Sequence, residues 1–142
     1  MKARTLLLAL AVAHAVPLAG CNKDEPAAQI KTLSVDDLST LLASQSPPAV
    51  YDANGADTRE KYGVVPGAKL LSSSSTFETN ELPSEKSDKL VFYCGSTKCT
   101  AAEGAAKRAA VAGYTDVNVM PAGIRGWSEA GKPTDKPTNE IN

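Results

Sequence analysis

The stretch that most constrains the fold runs from Lys89 through Tyr93 into Cys94, a short loop and an alanine-rich segment. Leu90-Val91-Phe92-Tyr93 after a lysine predicts a buried strand that delivers the chain to Cys94. Gly95-Ser96-Thr97-Lys98-Cys99 reads as a loop, and Thr100 with Glu103 forms a capping-box pattern ahead of a helix reaching Ala112. Gly113 stands where a helix closes on a left-handed residue. A strand that feeds a helix through so short a loop belongs to a parallel α/β sheet.

The flanking sequence keeps the same alternation. Ile30–Leu33 is a short strand candidate, and Ser34 with Asp37 caps a helix expected from about Val35 to Ala43, ended by Pro47-Pro48. Ala49-Val50-Tyr51 is a brief strand running into Asp52, and Thr58–Tyr62 is one helical turn. Pro66-Gly67 signals a turn before the strand Lys69-Leu70-Leu71. Ser72–Ser87 is the long polar connection, with room for a helical turn. Asp116–Met120 alternates as a last strand, which Pro121 ends. No internal repeat is present.

The ends read as targeting and tail. Lys2 and Arg4 precede an apolar run, Thr5–Val16, too short to span a bilayer and followed by Leu18-Ala19-Gly20-Cys21. That tetrapeptide resembles the bacterial lipobox, which implies cleavage after residue 20, acylation of Cys21 and a lipid-anchored protein of the bacterial cell envelope. The expected organisation is a leader at 1–20, a tether at 21–30, one domain at 31–136 and a frayed tail at 137–142. The segment from Lys132 to Asn142, with Pro133 and Pro137, has no apolar partners and is expected to fray.

Removing the leader leaves 13 basic side chains against 16 acidic, a balance that gives no reason to expect nucleic acid as a partner. It also removes His14, the only histidine, and with it Ser-His-Asp or Cys-His catalysis. With Cys21 acylated, Cys94 and Cys99 are the remaining thiols, too few for a disulfide framework or a structural zinc site. No metal or cofactor is expected.

At a strand end below a helix N-terminus, the Cys94 sulfur is expected to face backbone N–H groups and the positive end of the helix dipole, with Lys98 nearby. That setting favours a thiolate and would hold an anion or a persulfide. A buried structural cysteine at a strand end fits the same spacing.

Four segments resemble the rhodanese family in order and interval, from about Ser34 to Pro133. Val50-Tyr51-Asp52-Ala53-Asn54 is similar to its strand ending Asp-Val-Arg, and Gly63-Val64-Val65-Pro66-Gly67-Ala68 to its Gly-His-Ile-Pro-Gly-Ala. Phe92-Tyr93-Cys94-Gly95-Ser96 resembles the catalytic strand and loop entry, and Gly123 to Pro133 its Gly-x-x-x-Trp-x-x-Ala-Gly-x-Pro. The resemblance implies a five-stranded parallel sheet with helices on both faces, and transfer of sulfane sulfur through a persulfide. Carried over, Cys94 is the nucleophile, and the amides of Gly95, Ser96, Thr97, Lys98, Cys99 and Thr100 are its cradle. Asp52 braces neighbouring loops or caps a turn, and Trp127 walls the pocket or fills the core.

Departures from the family pattern are specific. The loop pattern Cys-x-x-Gly-x-Arg has Thr97 and Cys99 at its fourth and sixth places, and Asn54 and Val64 replace an arginine and a histidine. Lys98 is then the loop's cation, with Arg59 or Arg125 at the rim, which disfavours tight binding of a dianion such as thiosulfate. The expected partner is a small sulfur donor or another protein's persulfide. Two other functions compete: a thiol redox module in which Cys99 resolves oxidised Cys94, and a non-catalytic binding domain on the same fold. A phosphatase is disfavoured, because the place for its phosphate-gripping arginine is Thr100.

Overall fold

Strand β4 (Lys89–Tyr93) lies at the centre of a five-stranded sheet in the order β1-β5-β4-β2-β3, and every pairing is parallel. Its partners are β5 (Asp116–Met120) and β2 (Ala49–Asp52). The edges are β1 (Lys31–Thr32) and β3 (Lys69–Leu70). The computed structural model describes residues 29–138. The expected leader, Cys21 and the tether to residue 28 lie outside the described residues, as do tail residues 139–142.

Alternation along β4 sorts its side chains onto two cores. Leu90 and Phe92 face one side, where Ala102, Ala105, Ala106 and Ala109 of α3 (Ala101–Val111) pack with Tyr51, Phe77 and Tyr114. Val91 and Tyr93 face the other, against Leu38 of α1 (Val35–Leu42) and Ile124 and Trp127 of α4 (Gly123–Glu129). Small α3 residues let that helix lie close to the sheet. Burial on both faces also accounts for Asn118, an inward polar residue in β5 whose Nδ2 donates to the Leu90 carbonyl and to Asp116.

Helix ends follow the sequence in part. Ser34 and Asp37 form the expected capping box on α1. Gly113, at φ +94°, closes α3: its amide donates to Ala110 and that of Tyr114 to Ala109, the Schellman arrangement. The expected Thr100–Glu103 box does not form. Thr100 sits at φ −101°, ψ 3°, not in the extended conformation that turns a cap hydroxyl over the first helical turn. Helix α2 (Ala56–Tyr62) is longer than one turn, α4 adds a helix, and the long connection holds a 3-10 turn at Thr79–Glu81.

Fraying from Lys132 does not occur as far as Asp135. Val64 and Asp135 exchange backbone hydrogen bonds at 2.9 Å, and the Trp127 indole N–H donates to the Pro133 carbonyl at 2.7 Å. The prolines are compatible with this bridge because the amides it uses belong to Val64 and Asp135.

Candidate functional site

Cys94 follows β4 in phase with Leu90 and Phe92, so its side chain enters the α3 core, and the residue is only 3% exposed. Two amides of α4 hold the loop entry: Ile124 N–H donates to the Cys94 carbonyl at 2.8 Å and Arg125 N–H to the Gly95 carbonyl at 3.1 Å. Because a trans peptide points N–H opposite to C=O, the amides of Gly95 and Ser96 turn away from α4.

Gly123 makes that approach possible. At φ +65° it lies so near the loop that a Cβ would stand 2.5 Å from the Cys94 carbonyl oxygen and 2.7 Å from the Ser96 nitrogen. The residue stood in the family-like C-terminal motif, but nothing in its spacing disclosed that the glycine touches the loop.

The expected ring of amides is only partly available. Cys99 N–H is spent on the Ser96 carbonyl at 2.9 Å, and Lys98 N–H reaches the Ser96 hydroxyl at 3.4 Å. Among the described residues, the amides of Gly95, Ser96, Thr97 and Thr100 have no protein acceptor. The Cys94 sulfur itself lies against Cys99. The two cysteines are joined as a disulfide with Cα atoms 6.3 Å apart, and the Cys99 carbonyl oxygen is 3.2 Å from the Cys94 sulfur. Cys99 thus both packs on the core, as a small apolar residue does, and meets Cys94.

The cations divide. Arg59, expected as a possible rim residue, is turned inward instead: Nη2 donates to the carbonyls of Asp52 and Leu71 at 3.0 Å, and Nε pairs with Asp52 Oδ1 at 3.3 Å. Asp52, fully buried, also accepts from the Asn54 amide at 2.6 Å, so it braces the turns after β2 and β3. Its cross-strand neighbour Tyr93 accepts from Val65 N–H at 3.0 Å; burial first, and then the Asp52 carboxylate, hold that phenol well above its usual range. Asn54, in the place of the family arginine, turns its Oδ1 toward Gly95 and leaves a buried Nδ2 unpartnered.

Lys98 and Arg125 line a cleft of about 370 Å³ with Ser96, Thr97, Gly126 and Glu129. Neither Cys94 nor Cys99 lines it, and Trp127 lies in the core instead of walling it. Among the described residues no cluster of potential ligands fits a metal ion.

A family model described as the rhodanese-like domain matches residues 34–130. Solved structures share the fold at low identity. The polysulfide-sulfur transferase homodimer of Wolinella succinogenes is 19% identical with a TM-score of 0.61, over 80% of this chain and 83% of its own. The human single-domain sulfurtransferase is 25% identical with a TM-score of 0.57, over 71% of this chain and 97% of its own. A Rhodopseudomonas palustris protein of unknown function, described as a possible tyrosine phosphatase, is 23% identical with a TM-score of 0.59, over 75% and 85%. No curated protein sequence matches the chain significantly.

Proposed function

The chain belongs to the rhodanese-like domain family, and on that premise we propose that it is a sulfurtransferase that carries sulfane sulfur as a persulfide on Cys94. The observation that carries the reading is the position of Cys94 at the tip of the central strand, opening a loop whose amides at Gly95, Ser96, Thr97 and Thr100 are unspent. Such amides stabilise an anionic sulfur without a metal or a histidine. The sulfurtransferases among its structural neighbours support the same chemistry. Lys98 and Arg125, opposed in their cleft by Glu129, suit a donor of low charge or a partner protein's persulfide better than a dianion. We place the protein in the bacterial cell envelope, anchored through an acylated Cys21, on the strength of Leu18-Ala19-Gly20-Cys21.

Intact mass tests the assignment. The reduced chain should gain about 32 Da from a sulfur donor such as mercaptopyruvate, and Cys94→Ser should gain nothing while keeping its fold. Sulfur uptake that survives Cys94→Ser would move the chemistry elsewhere. The Cys94–Cys99 disulfide favours a second reading, a thiol redox module. Under that reading peroxide produces the disulfide readily, and no donor loads Cys94.

A further inference from the structure

We propose that Cys99 is a second catalytic sulfur, which displaces hydrosulfide from a persulfide on Cys94 and leaves the Cys94–Cys99 disulfide. The inference rests on the reading that Cys94 carries sulfane sulfur. It turns a carrier into a protein that reduces that sulfur.

The geometry supplies the product of the step. The Cys94 and Cys99 sulfurs are joined across Cα atoms 6.3 Å apart, within the span a disulfide bridges without backbone movement. Both partners are held. The Cys94 carbonyl is fixed by Ile124 N–H, and the turn presenting Cys99 is closed by its own N–H on the Ser96 carbonyl. Cys99 therefore meets the inner sulfur of a Cys94 persulfide, the atom whose attack expels the outer one.

The step balances without an outside oxidant. The Cys99 thiolate attacks Cys94 Sγ, a Cys94–Cys99 bond forms, and the bond to the outer sulfur breaks with its electron pair leaving as hydrosulfide. The proton given up when the Cys99 thiol became a thiolate ends on the departing sulfur. The two cysteines are oxidised to the disulfide, and the sulfane sulfur is reduced to sulfide.

Burial sets the way back. Cys94 is 3% exposed whereas Cys99 is only partly buried, so a small thiol reductant attacks Cys99 and expels Cys94 as the thiolate. A second thiol then frees Cys99. Over one cycle, sulfane sulfur and two thiols become hydrosulfide and a disulfide.

The test uses the full chain, reduced and freed of reductant, with mercaptopyruvate or thiosulfate as donor. Their by-products are pyruvate and sulfite, so hydrosulfide comes only from the persulfide. Wild type should pass through a species about 32 Da heavier to one about 2 Da lighter than the dithiol, releasing hydrosulfide in step. Cys99→Ser, with Cys99→Ala as a second variant, should hold the added sulfur at least about tenfold longer and release none. If wild type holds its persulfide as long as both variants and releases no hydrosulfide, the role of Cys99 is overturned and sulfur carriage by Cys94 stands. If folded Cys99 variants take up no sulfur from either donor, both readings fall. The wild-type measurement is decisive even where a variant does not fold.

Discussion

Replacing Gly123 with alanine should be among the most damaging single-methyl changes available in this fold. Two costs add. An L-residue held near φ +65° is disfavoured by roughly 1–2 kcal/mol. The new Cβ would also lie 2.5 Å from the Cys94 carbonyl oxygen and 2.7 Å from two further backbone atoms of the loop, and overpacking of that kind costs roughly 1–3 kcal/mol. The sum, about 2–5 kcal/mol, is a large share of the roughly 5–15 kcal/mol that holds a domain together. Two other glycines separate the costs. Gly113 has φ +94° with nothing within 4 Å of an added Cβ, so Gly113→Ala carries only the conformational part. Gly104, in α3 at ordinary φ and equally unobstructed, should gain about 0.5–1 kcal/mol on becoming alanine. Urea unfolding followed by the fluorescence of Trp127, the single tryptophan, ranks all three. A Gly123→Ala protein no less stable than Gly113→Ala would refute the argument that the loop rests on this glycine.

Asp52→Ala leaves the Arg59 guanidinium, whose side chain is 13% exposed, without its carboxylate. It should cost about 3–5 kcal/mol in the same urea assay, and a loss below about 1 kcal/mol would show the pair to be dispensable. Asp116 is held below its usual pKa: burial raises it, but hydrogen bonds from Lys89, Asn118 and Lys31 outweigh that. Its contribution is therefore present above the unfolded-state value of about 3.9 and lost as pH falls through the lower folded one. Asp116→Asn should destabilise the protein at pH 7 more than at pH 2, and equal losses would remove this linkage. Cys21→Ser should move the protein from the membrane to the soluble envelope fraction, because the proposed anchor is a lipid on that cysteine; a wild type already soluble there contradicts the anchor.

The parallel sheet was legible because its central segments are self-announcing. Lys89–Tyr93 is too apolar for a loop, and Thr100–Gly113 is too rich in alanine for a strand. Cys94 was legible for the same reason, standing where those two meet. What was hidden depends on distant partners. Gly123 contacts a loop almost thirty residues earlier, and Arg59 faces Asp52 instead of the loop because the Leu71 carbonyl completes its ring of acceptors. Thr100 had the right neighbour for a capping box and the wrong backbone angles, which residue types and spacing do not disclose. The tail failed for a similar reason. Its partner, Val64, offers main-chain groups, and those leave no trace in side-chain pattern.

The anchoring of the Cys94 and Gly95 carbonyls by Ile124 and Arg125 has a consequence for the order in which the chain is made. Synthesis delivers Cys94 before the residues that pin its backbone. A nascent chain ending ahead of Gly123 has both thiols but no floor beneath the loop, and the Val64–Asp135 bridge must wait a further dozen residues. The loop that follows Cys94 is thus pinned late, by the C-terminal part of the polypeptide, and an interrupted chain cannot complete it.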